Sequence, residues 1–384
     1  MATNQHVALI IETSTAYGRN LLRGVIRYMR LHEEWSIFLE QRDIESKLPG
    51  WIFDWRGDGM MSRKTSPELA ERVKGHGTPF VELTDRGQTF GFPMVRSDDA
   101  AIGQMAAEHY LDRGYQHFAF CGYDREVWSQ RREEAFGKLI KDSQQSYSTH
   151  HLYWNQVKTD PWLEERQQLA AWLSSLPKPV GIFACNDDCG YQIIDACRNV
   201  GINSPEEVAV LGVDDDDVLC QLCKPSLSSI IPNAEGIGYR AAELLAKLIE
   251  GKPVENEVLL LPPLGITTRQ STDHTAIDDP ELAYAIHMIR ERACQGMTVS
   301  DILAQVPLSR SSLERRMRKY LKRSPQQEIR HIQLKRAMRL LRETDMPIEA
   351  IARSCGFENP EYMHVVFRRE YDMTPGDYRR NTKT

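Results

Sequence analysis

Long apolar runs are missing from this chain. Nothing in its 384 residues approaches the ~20 consecutive apolar positions of a membrane-spanning helix. A secretory leader is missing too: Met1-Ala-Thr-Asn-Gln-His-Val-Ala-Leu-Ile-Ile11 has neither a basic head nor a full-length hydrophobic segment, and reads as a first buried strand. The eight cysteines, mostly inside apolar runs, suit a reducing cytosol. Cys220-Gln-Leu-Cys223 and the pair Cys185 and Cys189 have ligand-like spacing, but no His or second CxxC supports them, so they read as packing thiols. The glycines near Gly57 and Gly59 lack the spacing of a phosphate-cradling loop, and no nucleophile stands beside a base in a recognisable motif. No low-complexity tract is present. These absences argue against a membrane protein, a secreted protein and a nucleotide-dependent enzyme, and the expectation is a cytoplasmic protein without cofactor or metal.

What is present is divided in charge. The chain carries a net −6, yet residues 281–384 hold 20 Lys and Arg against 13 Asp and Glu, while residues 1–280 hold 28 against 41. An acidic body with a basic tail domain is the asymmetry of a regulator with one phosphate-facing module, whose basic side chains gain affinity by releasing counterions. The length suggests two or three domains, each able to bury its own core.

The basic tail carries two helix-turn-helix patterns in tandem. In the clearer one, Ile348, Ile351, Ala352 and Cys355 fall at i, i+3, i+4, i+7, one apolar face of a short helix. Gly356 supplies the left-handed residue that closes it, Asn359 caps the next helix, and Pro360 sits where a missing N–H costs nothing. Met363, Phe367 and Tyr371 pack that second helix and leave its other face free for a major groove. About fifty residues upstream, Val299, Ile302, Leu303 and Val306 repeat the spacing behind a capping box of Thr298 and Asp301. Pro307 ends that helix and Ser309 caps the next, whose buried stripe is Leu313, Met317, Tyr320 and Leu321. Its exposed face reads Arg310, Ser311, Glu314, Arg315 and Arg318. Ser324-Pro325-Gln-Gln327 opens a longer helix, with Leu334, Ala337, Met338 and Leu341 on one side, that serves as a rigid spacer. A helical bundle that binds a protein is the alternative reading of the same pattern.

Three stretches here resemble the DNA-binding domain of the AraC family, from about Glu281 to Arg380: Leu308-Ser-Arg-Ser-Ser-Leu313, the run Ile348 to Phe357, and Phe367 to Arg379. The resemblance implies that Ser311, Glu314 and Arg315 face bases from the first recognition helix. Glu361, Tyr362, His364 and Val365 do so from the second, with Arg310, Arg318 and Pro360 beside them. The family often has a long polar or basic residue where Val365 stands.

Upstream, short apolar strands alternate with helical stretches. Strands are expected at His6–Ile11, Trp35–Glu40, Gly59–Met61, Thr78–Leu83, His117–Cys121, Val180–Ala184 and Val208–Val213. Helices are expected at Asn20–Leu31, Ala100–Arg113, Arg131–Lys141, Pro161–Ser174 and Gly190–Val200. This alternation builds parallel sheets flanked by helices, with ligands at the carboxyl ends of strands. Gly181-Ile-Phe-Ala-Cys-Asn-Asp187, Val208-Ala-Val-Leu-Gly-Val-Asp-Asp215, Lys224-Pro-Ser-Leu-Ser-Ser-Ile230 and Gly236 to Leu245 follow in an order that resembles the effector-binding core of LacI-type repressors and ribose-binding periplasmic proteins, from roughly Gln5 to Thr272. A LacI-like sensor joined to a C-terminal AraC-type domain is the architecture of the xylose-operon regulators. The expected fold is therefore an α/β two-lobed periplasmic-binding-protein-like sensor (1–272), a linker (273–280, overlapping the polar stretch Gln270–Asp279), and an all-α C-terminal domain with two helix-turn-helix motifs (281–384).

By that resemblance the chain is a sequence-specific regulator, an activator governed by a sugar, most readily xylose. Its partners are double-stranded operator DNA, the sugar effector, RNA polymerase and a second copy of itself. A sugar needs planar donors and acceptors around its hydroxyls and an aromatic wall. The residues carried over are Arg132 as hydroxyl clamp, Asp214 as acceptor, Asn186 with Asp187 beside it, and Asp98 from the opposite side, with Tyr17, Arg19 and Trp128 completing the wall. Each has a plainer reading: Arg132 pairing with Glu133 or Glu134, Asp187, Asp214 or Asp98 as helix caps, Trp128 as packing. Where the family often has Gln this chain has Pro232, so that hydrogen bond is lost or passes to Asn233. Two other functions compete. The run Asp214-Asp-Asp-Asp217 could hold Mg²⁺ in an enzyme of sugar or phosphate metabolism, or the regulator could sense a ligand other than a pentose.

Overall fold

The computed structural model describes residues 5–32, 35–39, 48, 50–84, 87–143, 145–152, 161–254, 258–273, 277 and 279–382. The chain divides into two compact units, one of residues 1–109 and 116–274, the other of residues 110–115 and 275–384. The first unit begins with β1 (Gln5–Ile10), α1 (Ala16–His32), β2 (Trp35–Leu39), β3 (Gly59–Ser62), α2 (Pro67–His76), β4 (Phe80–Glu82), β5 (Met94–Ser97) and α3 (Asp99–Leu111). It continues through β6 (His117–Tyr123), α4 (Val127–Asp142), β7 (Ser146–Leu152), α5 (Pro161–Ser175), β8 (Val180–Ala184) and α6 (Asp187–Asn199). It closes with β9 (Val208–Val213), α7 (Asp217–Leu222), β10 (Ser228–Ile231), α8 (Ala234–Ile249), β11 (Val258–Leu261) and β12 (Gly265–Thr267).

These strands form two six-stranded sheets, ordered β11-β5-β4-β3-β1-β2 and β12-β10-β9-β8-β6-β7. All pairings are parallel except β10 with β12. Every residue of β8 and β9 is buried, as expected of central parallel strands covered by helices on both faces. Several strands escaped the sequence reading. β7 is an edge strand with the polar pattern Ser-Tyr-Ser-Thr-His-His-Leu, and β5, β10 and β12 span only three or four residues each. Glu40, expected to end β2, lies outside the described residues. In the first lobe α1 crosses α8 at two glycines. A Cβ on Gly24 would stand 2.0 Å from the Glu235 carbonyl oxygen, and one on Gly238 would stand 2.0 Å from that of Leu21. Only Gly lets the two backbones approach so closely, and this crossing seats the start of α1 over the strand ends.

The second unit is helical: α9 (Pro280–Arg292), α10 (Val299–Leu303), α11 (Arg310–Leu321), α12 (Pro325–Glu343), α13 (Ile348–Ser354), α14 (Pro360–Tyr371) and α15 (Pro375–Thr382). Capping boxes open α10 at Thr298 and α12 at Ser324, and Asn359 caps α14 with Pro360 behind it. The unit holds two apolar clusters, one built on Leu282, Ile286, Ile302, Leu313 and Met317, the other on Leu334, Leu341, Ile351, Met363 and Phe367.

The polar stretch expected to be a linker is largely built into the fold. Ser271 and Thr272 are fully buried in a short 3-10 turn, where the Ser271 hydroxyl donates to the Val210 carbonyl at 2.6 Å. Ile277 joins the first apolar cluster of the second unit, and Asp279 caps α9 and pairs with Arg316 at 2.8 Å. Residues 274–276 and 278 lie outside the described residues.

Candidate effector site and nucleic-acid interface

A cavity of about 400 Å³ lies in the first unit, lined by residues that follow strands of both sheets. Glu12 follows β1, Arg63 follows β3, Thr84 follows β4 and Ser97 ends β5. From the other sheet come Glu126 after β6, Asn186 after β8 and Asp214 after β9. Parallel strands deliver all these side chains to one place because their carboxyl ends point the same way.

Arg132 is the central cation. It is 4% exposed, donates through Nε to Asp99 Oδ1 at 3.0 Å and through Nη1 to the Cys185 carbonyl at 2.6 Å, and stacks 4.9 Å from the Trp128 ring centre. Burial pushes the Asp99 carboxyl above its ordinary range, although Arg132 and Arg96 oppose it. Burial likewise pushes the Asp214 carboxyl up to about 7, against the pull of Arg132 and Arg63. Asp187 is raised well above the carboxylate range by burial and by its neighbour Asp214. A buried carboxyl that keeps its proton offers a donor as well as an acceptor, which is what a hydroxyl group matches.

The turn after β9 is held in an unusual conformation, with Asp214 at φ +114° and Asp215 at φ +50°. Such backbone costs about 1–3 kcal/mol per residue and persists only where neighbours impose it. Asp187 accepts from the Asp216 amide at 2.8 Å and from the Ser229 hydroxyl at 2.6 Å, and Ser229 in turn accepts from the Asp215 amide at 3.0 Å. Asp215 binds Arg269 at 2.8 Å and Thr267 at 2.9 Å, Asp216 caps α7, and Asp217 accepts from Gln221 at 2.6 Å. Asp215, Asp216 and Asp217 are thus engaged by protein groups, with Asp217 also 3.8 Å from Arg269, and among the described residues no His, Cys, Asp or Glu cluster has a metal-holding arrangement.

On the facing side, the Tyr17 hydroxyl lies 2.9 Å from Ser97 Oγ, and Arg63 stacks 4.5 Å from the Tyr17 ring centre. Arg63 also pairs with Glu12 Oε1, which accepts from Thr15 at 3.0 Å. The other oxygen, Glu12 Oε2, is buried with no hydrogen-bond partner among the described residues. Arg19 braces its own loop, donating to the carbonyls of Thr13 at 3.0 Å and Ser14 at 2.7 Å, and faces Asp216 at 3.8 Å.

The second unit presents two helices in the manner of reading heads. On α11, Arg310, Ser311, Arg315 and Arg318 are exposed, while Glu314 is half-buried and 3.6 Å from Arg310. On α14, Glu361, Tyr362, His364 and Val365 are exposed, with Pro360 half-buried at the first turn. Buried Leu313, Met317 and Leu321, like Met363, Val366 and Phe367, hold the opposite faces.

Comparison with known proteins agrees with both halves. A periplasmic binding protein-like domain matches residues 107–272 and a helix-turn-helix domain matches residues 302–381. The chain is 32% identical to the xylose operon regulatory protein of Haemophilus influenzae over 98% of each sequence. It is 30% identical to that of Escherichia coli K12, over 99% of this chain and 98% of the relative. The chain belongs to the xylose operon regulatory proteins. A solved structure described as the xylose-binding transcription activator xylR aligns over all of both chains with 28% identity and a TM-score of 0.64. A ribose-bound LacI family regulator from Enterococcus faecium shares the fold of the first unit, with 21% identity, a TM-score of 0.59, and coverage of 71% of this chain and 99% of that one.

As a member of the xylose operon regulatory proteins the chain is a DNA-binding transcription regulator and not an enzyme. The expected fold, a two-lobed periplasmic-binding-protein-like sensor and a helical domain with two helix-turn-helix motifs, is the one observed. The cavity gathers Tyr17, Arg19, Trp128, Arg132, Asn186, Asp187 and Asp214. Asp98 is the correction: its carboxylate accepts from the Ala101 amide at 2.9 Å and caps α3, so its neighbour Asp99 faces Arg132 instead. Asn233 does not line the cavity either. It takes a left-handed φ of +59° before α8, and the Pro232 carbonyl accepts from Ser97 at 3.5 Å. Arg132 pairs with Asp99 rather than with Glu133 or Glu134, and Asn186 rather than Asp187 caps α6. The reading missed Glu12, Arg63, Ser97, Asp99 and Glu126. Scanning the residues just past every strand end would have found Glu12 and Arg63.

Proposed function

We propose that this regulator binds D-xylose in the cavity and, so loaded, activates transcription from operator DNA. Arg132, Asp99, Asn186, Asp214 and Glu12 meet the hydroxyls, and Trp128 and Tyr17 flank the ring. The observation that carries this reading is the lining chemistry. Seven carboxyls and four arginines line the cavity, and with Asp99, Asp187 and Asp214 raised by burial the remaining four carboxylates match the four arginines, so no excess positive charge is left for a sugar acid or phosphate and the mixed donors and acceptors suit a neutral polyol. Within it, Glu12 Oε2 is a buried acceptor awaiting a donor. The full-length likeness to a xylose-binding activator supports the choice of sugar.

Only a ligand that touches both lobes distinguishes a closed sensor from an open one, and that differential contact is what shifts the population. The sensor spans 1–272, a connection 273–280, and the DNA-binding domain 281–384. The protein acts in the cytoplasm as a homodimer on tandem half-sites and engages RNA polymerase there. On α11, Ser311, Glu314 and Arg315 read bases with Arg310 and Arg318 on phosphates. On α14, Pro360, Glu361, Tyr362, His364 and Val365 contribute more weakly. Calorimetric titration of the intact protein with D-xylose, L-arabinose, D-ribose and D-glucose tests the reading. D-xylose should bind most tightly, and binding of none of the four, with operator DNA still bound, overturns it.

A further inference from the structure

The two apolar clusters of the DNA-reading unit share no residue, yet α12 runs through both. Its Ile329 belongs to the first cluster, and Leu334, Ala337 and Leu341 belong to the second. At the changeover stands Gln333, a polar side chain only 3% exposed. A buried amide is costly unless its donors and acceptor are met, and here they are met in a specific way. Nε2 donates to the Ala293 carbonyl at 2.9 Å and to the Gly356 carbonyl at 3.0 Å, while Oε1 accepts from Arg330 at 2.9 Å. Ala293 closes α9 in the first half, and Gly356 is the turn between α13 and α14 in the second. One amide therefore ties one backbone carbonyl from each reading head.

The backbones touch at the same point. Gly356 has φ +77°, and a Cβ there would lie 2.8 Å from the Cys294 carbonyl carbon and 2.9 Å from the Ala293 oxygen. Arg330 extends the tie toward the reading face, with its guanidinium 4.8 Å from the Phe357 ring centre and 4.6 Å from that of Tyr362. Apolar packing fixes each head internally. Across the seam the Gln333 hydrogen bonds add a directional tie to the continuous backbone of α12.

We propose that Gln333 is a positioning residue for DNA recognition, setting the orientation of α14 relative to α11 and hence the spacing of base pairs the protein accepts. It touches no base itself. The proposal rests on the two-headed reading of DNA proposed above. Two heads on a stiff mount bind their second box as an intramolecular event, with an effective concentration that falls as the mount loosens. One inserted base pair shifts the second box by ~3.4 Å and about a tenth of a turn, which a stiff mount rejects.

The test uses the full chain. Selection from a randomised duplex pool by the wild-type protein first yields its two-box site, and failure to select one rejects the two-headed reading itself. Gln333→Met, which keeps length and shape but removes both donors, is then compared with wild type on four duplexes. These are the selected site, the same site with either box scrambled, and the site with one base pair inserted between boxes. Expected for Gln333→Met is a loss of about tenfold on the selected site, affinity for single boxes within about twofold of wild type, and a smaller penalty for the inserted base pair. Unchanged single-box binding also certifies that both heads remain folded. Should Gln333→Met not fold, Gln333→Asn, which withdraws the amide by one methylene, enters the same comparison. An equal loss on single and paired boxes, or an undiminished insertion penalty, overturns the proposal.

Discussion

Replacing Arg132 by Met removes a cation that the fold has almost wholly enclosed. Its guanidinium stands 3.0 Å from Asp99 and 2.6 Å from the Cys185 carbonyl, over the Trp128 ring. Deleting one member of a buried pair costs about 3–5 kcal/mol, because the other charge is left uncompensated. Two features place this case at the low end. Asp99 keeps Arg96 at 3.5 Å, and burial already raises its carboxyl, so it takes up a proton rather than stay charged. A loss of ~3 kcal/mol, at roughly 2–4 °C per kcal/mol, lowers the sensor's melting temperature by about 6–12 °C. In the proposed binding mode xylose affinity should lose a hydrogen bond to a charged group as well, worth ~1.5–3 kcal/mol, or roughly 10–150-fold in Kd. Affinity for operator DNA without sugar should stay within about twofold, since that surface is on the other unit. Calorimetry supplies both readouts, melting and xylose titration. A melting shift below ~2 °C together with unchanged xylose affinity would refute the enclosed-clamp argument.

Three further outcomes are expected. Arg315→Ala should cost about 1–3 kcal/mol and relax preference at one base position, whereas Val365→Ala should cost less, and footprinting that ranks them the other way reverses the assignment of the dominant head. The folded-state pKa of Asp214 is raised to about 7 from an unfolded value of ~3.9, so its protonated form favours folding below that lower value, and this contribution is lost as pH rises through 7. Urea unfolding of the sugar-free protein should therefore show wild type losing stability relative to Asp214→Asn between pH 4 and 7, by at most ~1.4 kcal/mol per pH unit, and parallel profiles would contradict the raised carboxyl. Gly238→Ala puts a methyl 2.0 Å from the Leu21 carbonyl and forces α1 off α8, a strain of about 1–3 kcal/mol or more that a lowered urea midpoint at unchanged slope would reveal.

The sequence by itself determined the two helix-turn-helix pairs of the helical half and the helix between them, though not α9 or α15. Thr298 with Asp301, Ser324 with Gln327, and Asn359 with the Glu361 amide make their contacts within three residues of one another, so the caps were legible without knowing any tertiary neighbour. The central strands β8 and β9 were legible for a similar reason, since full burial on both faces demands an unbroken apolar run. Only the tertiary structure decided the rest. Whether Asp98 or Asp99 faces the cavity depends on how α3 lies against α4, and a one-residue step on a helix turns the side chain by about 100°. Glu12 and Arg63 meet because β1 and β3 are adjacent in a sheet whose order follows from crossovers, 51 residues apart in the chain. Gln333 reads as one more polar position on a helix until Ala293 and Gly356, 40 and 23 residues away, are brought to its two N–H groups. Local hydrogen bonds and periodicity are properties of a few neighbouring residues, whereas convergence of distant side chains is a property of the packing that closes around them.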